Sequence, residues 1–287
     1  MIHSDKLNRI HVDKQFADFC DSRHFLRYQN FLKKPGMIIK AEDRVRVILW
    51  ELCKDGVSRK FVFKEYRYGR GNILTWWPAK SKREYHNLKE CHNLGVPAVK
   101  PVAYGSQRSI LKTVNSCFLI TEFVEDAVNL KKRMQESANW HRDSSLQKIF
   151  TELGIIFRRL HSRHFFVYSS NTRNILIDKD VSLHKTQIRL LDMPYARFAF
   201  NKRKARRAQN KDLGTLLKRP LLFGGSSLVD AFFQSYLPDP LGSLTNEFKH
   251  RLHQAARAQD NRTLLTDFEN RYKRKLKTCF THFFHAH

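Results

Sequence analysis

The chain has 287 residues, 41% of them hydrophobic and 22 of them Phe, which fits a folded globular protein of one two-lobed domain or two small ones. Its 53 Lys and Arg against 27 Asp and Glu give a formal charge of +26 and a pI near 10.1, so the partner to expect is polyanionic: nucleic acid, an anionic membrane face or a phosphorylated ligand. No run approaches the roughly 18 apolar residues of a membrane span, Met1 to Phe16 lacks a signal peptide's apolar region, and the five scattered Cys, never in C-x-x-C spacing, read as reduced thiols of a cytoplasmic protein.

In chain order, residues 1–35 are predicted helical and basic, closing at Lys33-Lys34-Pro35-Gly36. Strands follow: MIIKA and RVRVILWELC alternate or run apolar, KDG is a hairpin turn signal, and SRKFVFKEY returns, so 37–66 reads as a three-stranded antiparallel meander. Residues 79–95 have helical spacing and stop at Gly95. VPAVKPVAYG and SCFLITEFV read as two further strands. Over 144–163, Leu146, Ile149, Phe150, Leu153, Ile156, Phe157 and Leu160 form a stripe at helical period. Short strands are expected at 174–177 and 187–192, then helices near 211–218, 226–236, 243–258 and 262–278.

Phosphoryl transfer from ATP needs a Lys on the phosphates, a carboxylate to hold that Lys, oxygen ligands for Mg²⁺, and a base or orienting group for the acceptor hydroxyl. The chain presents such residues in kinase order. Lys64 lies in FVFKEY on the third strand of the meander, and Glu84 lies on the next helix, within reach of it. LITEFVEDAVNL (119–130) looks like a hinge. Asn174 precedes the apolar strand Ile175-Leu176-Ile177, Asp192 ends IRLLD, and Asp212 follows in KDLGTLL, where kinase-like folds use an Asp to pin the catalytic-loop backbone.

With these segments in place, VFKEYRYGRG, KREYHNLKECHNLGVPAVKPVAYG, LITEFVE and RLLDMPYARF…KDLGTLL resemble the lipopolysaccharide core kinases, the Kdo/heptose kinase family, over about residues 40–236. The resemblance implies an α+β, protein-kinase-like, two-lobed fold: an N-terminal extension (1–36), an N-lobe of antiparallel sheet plus one helix (37–124), and a mainly helical C-lobe (125–287). It implies ATP and Mg²⁺ as cofactors. Lys64, Glu84 and the hinge residue Glu122 would serve the nucleotide, and Asn174 and Asp192 the metal, with Asp192 also catalytic. The implied acceptor is a lipid A-core sugar or another phosphorylated molecule, met at the cytoplasmic face of the inner membrane of a Gram-negative bacterium.

The departures sit at the chemistry. The family's loop carries an Asp five residues before the metal Asn; here that base position is Ser169, which is a poor base near neutral pH. Met193-Pro194 follow the metal Asp, and no glycine-rich loop is visible between 36 and 50. Two readings therefore stand side by side: an active sugar kinase, and a pseudokinase that binds or regulates in envelope biogenesis. A nucleic-acid binder is not favoured, because no helix-turn-helix, finger or aromatic RNA-binding signature is present. The basic run Asn201–Lys211 offers Lys202, Arg203, Lys204, Arg206 and Arg207 to acceptor phosphates, or is a solvated loop. His161 and His164 read as packing or capping residues. Trp76-Trp77-Pro78 reads equally as lobe packing or membrane contact, and metal binding by His282, His285 and His287 lacks an acidic or Cys partner.

Overall fold

The computed structural model describes residues 2–4, 8–17, 28–68, 78–109, 113–137, 142–168, 170–178, 188–222 and 225–237. They fall into two units, Met1–Glu90 with Val99–Glu125, and Cys91–Ala98 with the chain from Asp126 onward. The helices expected at 243–258 and 262–278, Trp76-Trp77 and the histidine tail lie outside the described residues.

The first unit departs from the helical expectation at its start. Two strands, β1 (Ile2–Ser4) and β2 (Asn8–Val12), precede two short helices, α1 (Lys14–Ala17) and α2 (Tyr28–Lys33). In β2 the branched Ile10 and Val12 recur at period two and both are buried, which suits a pleated strand better than a helix face. The predicted meander is present as β3 (Met37–Glu42), β4 (Val45–Lys54) and β5 (Val57–Arg67). Its KDG signal works as expected: Asp55 (φ 51°) and Gly56 (φ 76°) both adopt the left-handed backbone of a two-residue hairpin loop.

Helix α3 (Lys80–Asn93) follows and ends where Gly95 was predicted to stop it. Gly95 has φ 66°, its N–H donates to His92 O, and the Val96 N–H donates to Cys91 O, the paired bonds of a Schellman cap. Then come β6 (Pro101–Arg108) and β7 (Val114–Glu122), completing a seven-stranded antiparallel sheet ordered β1-β2-β6-β7-β5-β4-β3. One sheet face buries an aromatic core. Phe31 lies 4.5 Å from Phe118 and Trp50 4.6 Å from Phe63, centroid to centroid, with Phe16 against Phe61. Because strand side chains alternate, Phe61 and Phe63 occupy that face and Lys64 and Tyr66 the other.

The second unit holds β8 (Ala127–Asn129), α4 (Leu130–Glu136), α5 (Ser144–Ser162), β9 (Phe165–Phe166), β10 (Ile175–Asp178), β11 (Ile188–Leu190), β12 (Arg197–Phe198), α6 (Lys202–Leu216), α7 (Lys218–Leu222) and α8 (Ser226–Tyr236). All seven stripe residues of α5 are buried, and Asp143 caps its start by accepting from the Ser145 and Leu146 N–H groups. Helices α5 and α8 pack so closely at Gly154 that a Cβ there would lie 2.3 Å from Phe232 O. One boundary is corrected: α6 begins at Lys202, not near 211, with Asn201 as its N-cap accepting from the Arg203 and Lys204 N–H groups. The basic run is therefore helix, not loop, and Asp212 sits late in α6 rather than opening it. No described helix is long and apolar enough to cross a membrane.

Candidate functional site

In the first unit, the sheet and α3 bring Lys64 and Glu84 together as their order suggested. Lys64 Nζ lies 3.3 Å from Glu84 Oε1; the Lys side chain is 20% exposed and the Glu only 2%. A third member was missed. The Tyr66 hydroxyl donates to Glu84 Oε2 at 2.5 Å, and the Lys64 and Lys80 ammonium groups lie 5.1 and 4.3 Å from the Tyr66 ring centroid. The signal for it was the spacing: residues i and i+2 of a strand share a face, so Tyr66 had to accompany Lys64. Glu84 thus holds a cation and a hydroxyl at once, which fixes where the Lys64 ammonium points. The turn joining β3 to β4 is Asp43-Arg44, so no glycine loop stands there.

Glu122, the hinge candidate, ends β7. Its carboxylate pairs with Lys100 Nζ at 3.0 Å, and its N–H donates to Lys100 O. With Lys60, Phe61, Phe123 and Glu125 it lines a polar recess of about 440 Å³ in the first unit.

In the second unit, Asn174 immediately precedes β10 and Asp192 lies two residues past the end of β11, its neighbour in the ladder. Ile175 pairs with Leu190 in the β10–β11 ladder, and the Leu191 N–H donates to the Asn174 carbonyl at 3.0 Å. Asp192 follows at once with φ 58°, a left-handed backbone that Asp tolerates better than most residues. An amide oxygen and a carboxylate are the hard donors Mg²⁺ prefers, and two such groups suffice for an ion that keeps waters and substrate phosphates in its shell. The residues present fit that ion. Among the described residues no group of three or more His, Cys, Asp or Glu could hold a metal, so no all-protein cage competes with this pair. Met193, which follows Asp192, is fully buried with its sulfur 3.8 Å from Cys91 Sγ, so this residue serves packing.

The loop leads from β9 towards Asn174 and β10. Asp212, fully buried, accepts from the Val167 N–H at 2.8 Å (Oδ2) and from the Tyr168 N–H at 2.7 Å (Oδ1), and Ser170 Oγ donates to Oδ1 at 3.1 Å. This is the pinning role its sequence position suggested. It holds Tyr168 at φ 61°, an unfavourable backbone for a tyrosine. His161 supports the arrangement from α5: Nδ1 lies 2.8 Å from the Tyr236 hydroxyl, Nε2 3.4 Å from Asp212 Oδ2, and its ring stacks on Phe166. Burial pushes the Tyr236 phenol well above its usual range, so it stays a neutral hydrogen-bonding group. His161 is buried in the packing, as expected, whereas His164 is exposed and its N–H donates to His161 O at the end of α5. Ser169, expected at the base position, lies outside the described residues. Of the acceptor-binding candidates, Lys202, Arg203, Lys204 and Arg207 are exposed on α6 and Arg206 is half-buried.

A seven-stranded antiparallel sheet with the short helices α1 and α2 and the longer α3, followed by a mainly helical region with a pinned loop and paired short strands, defines a protein-kinase-like fold. The chain is similar to the solved structure of WaaP in complex with acyl carrier protein, with a TM-score of 0.61 at 20% identity, covering 93% of this chain and 99% of that one. The family model for the lipopolysaccharide kinase (Kdo/WaaP) family matches residues 60–236, well over half the chain, and the chain belongs to that family. No curated protein matches it in sequence at a significant level.

Proposed function

We propose that this protein is an ATP-dependent kinase that phosphorylates a sugar hydroxyl of the lipopolysaccharide core, at the cytoplasmic face of the inner membrane. The observation that carries the reading is the Lys64–Glu84–Tyr66 set. A buried carboxylate that orients a half-buried ammonium is a costly way to stabilise a sheet, and it is what a phosphate-binding Lys requires. In this reading Lys64 binds nucleotide phosphates, Glu84 and Tyr66 position Lys64, and Glu122 contacts the nucleotide. Asn174 and Asp192 hold Mg²⁺, which neutralises charge on the transferring phosphoryl group when bound. Asp212 keeps the loop backbone in place, and the cations of α6 favour an acceptor already bearing phosphate. Acyl carrier protein, seen with WaaP, is a candidate partner, tested by co-purification.

Ser169 favours a second reading, a pseudokinase that binds nucleotide without transferring phosphate. General bases contribute about 10²–10⁴ in rate, while positioning and electrostatics supply most of the rest in phosphoryl transfer. Slow but measurable transfer is therefore the expectation. The test pairs a melting-temperature measurement with Mg-ATP and a phosphate-transfer assay on deacylated core sugar. Transfer that disappears in Asp192→Ala supports the kinase. A nucleotide-dependent rise in melting temperature with no transfer, restored by Ser169→Asp, identifies a site lacking only its base. No response to Mg-ATP in either assay rejects both readings.

A further inference from the structure

We propose that the segment Arg197–Lys211 is a docking surface for an anionic bilayer: Phe198 and Phe200 insert at the lipid interface, and the exposed cations of α6 contact headgroup phosphates. This rests on the reading of a membrane-borne acceptor and names the surface that would meet the membrane.

The apolar part is a pair of stacked, exposed rings. Phe198 is 41% exposed and Phe200 74%, with ring centroids 5.8 Å apart and planes within 4°. They are two residues apart in extended chain and so share a face. They are also firmly mounted. Phe198 pairs with Phe165 across the β9–β12 ladder and packs edge-on against its ring, the Ala199 N–H donates to His164 O at 2.9 Å, and the Phe200 ring lies 5.7 Å from His164. Scattered exposed apolar residues are ordinary, but a stacked pair held out from a braced backbone marks an interaction site.

The charged part adjoins it without a break. From Arg197 to Lys211 there are seven cations and no acid: Arg197, Lys202, Arg203, Lys204, Arg206, Arg207 and Lys211. Lys204, Arg207 and Lys211, three and four apart, line one exposed helix face. None of the seven meets a carboxylate among the described residues; Arg197 and Lys211 instead lie over the Tyr168 ring, at 4.5 and 5.5 Å. Lys202, Arg203 and Lys204 fill the first turn of α6, where positive charge opposes the helix dipole. The fold thus collects unpaired cations where they destabilise the free protein, and an external anionic surface offsets that cost. Aromatic rings beside a cationic helix face are the composition of an interfacial anchor. A nucleic acid fits less well, because these two rings are stacked on each other rather than spaced to receive bases.

The test is flotation of the full chain, without nucleotide, on vesicles of phosphatidylcholine containing about one-third phosphatidylglycerol, and on pure phosphatidylcholine. Wild type should float with the anionic vesicles only. Phe200→Ser should lower partitioning about tenfold, from lost apolar burial, and Phe200→Leu should restore most of it. Arg203→Ser with Arg207→Ser should lower it about thirtyfold, roughly fivefold per charge. These side chains are exposed, so melting temperatures should not fall, and the loss of a first-turn cation in Arg203→Ser should if anything raise them slightly. Flotation of Phe200→Ser equal to wild type overturns the proposal. So does a Phe200-dependent dimer in sedimentation, or Phe200-dependent retention on RNA with no flotation. Because the assay uses no ATP, a missing nucleotide response sinks the kinase reading and leaves this result standing, and the reverse also holds.

Discussion

Replacing Asp212 by Asn keeps the side chain's shape and removes its charge and one of its two acceptor oxygens. In the native protein those oxygens take two backbone N–H groups, at 2.8 and 2.7 Å, and the Ser170 hydroxyl at 3.1 Å, with no solvent access. The Asn amide can still accept one N–H, but its NH₂ must then face the other donor. Losing one charge-assisted bond and burying an opposed donor costs about 2 kcal/mol. The deficit concentrates at Tyr168, whose left-handed backbone is held by its bond to Asp212, so it should appear first as local opening of the loop. Amide hydrogen exchange followed by mass spectrometry reads this directly: peptides spanning 165–171 should exchange about 30-fold faster, the equivalent of 2 kcal/mol. Peptides from the α5 interior should keep most of their protection. Asp212→Ala, which leaves both N–H groups without this acceptor, should cost about 4 kcal/mol and lower the melting temperature by roughly 8–16 °C. Unchanged exchange over 165–171 in Asp212→Asn would refute the pinning argument, even if overall stability fell.

Three other perturbations follow from the same structure. Glu84→Gln removes the charge that orients Lys64, and Mg-ATP affinity should fall about tenfold, trimming roughly 1.4 kcal/mol from the nucleotide-dependent stabilisation measured by thermal shift. Gly154→Ala puts a methyl against Phe232 O and Ser235 Oγ, and overpacking of about 2 kcal/mol should lower the melting temperature by roughly 4–8 °C. Burial raises the Asp13 carboxyl, but hydrogen bonds from Lys89 and Tyr85 more than offset this, leaving it below its usual range. A depressed folded value means stability that is full above the unfolded pKa and lost as pH falls through the folded one. The stability gap between wild type and Asp13→Asn, measured by urea unfolding, should therefore be constant above roughly pH 5 and shrink below it.

What could be read in advance, and what could not, divides along physical lines. The meander, the Gly95 stop and the α5 stripe are set by local period and turn chemistry, and they stand where expected. The N-terminal strands escaped notice because the basic composition of 1–35 outweighed the period-two placement of Ile10 and Val12, whose fit depends on β6, about ninety residues away. The start of α6 was missed for an electrostatic reason. Asn201 is a good cap, but three cations in the first turn break the rule that anions favour a helix start. Tyr66 was legible in principle from strand alternation. The contacts of Asp212 with Val167 and Tyr168 span 44–45 positions, and only the resemblance suggested them.

The retained parts do not carry equal weight for activity. Asp212 satisfies backbone donors that any folded version of this loop must satisfy, so its presence follows from folding alone. The α5 stripe and the buried Met193 likewise serve packing, with or without turnover. The Lys64–Glu84 pair is different. A nearly inaccessible carboxylate gains little net stability from a neighbouring ammonium once desolvation is counted, and apolar side chains of similar volume would hold β5 to α3 at least as well. Tyr66 adds a second donor to the same carboxylate and narrows the positions Lys64 can take. That expense makes physical sense where the ammonium meets an anion. In the kinase reading Ser169 would bear on the acceptor hydroxyl and Lys64 on phosphate binding, so the serine at one position leaves the inference from the other intact.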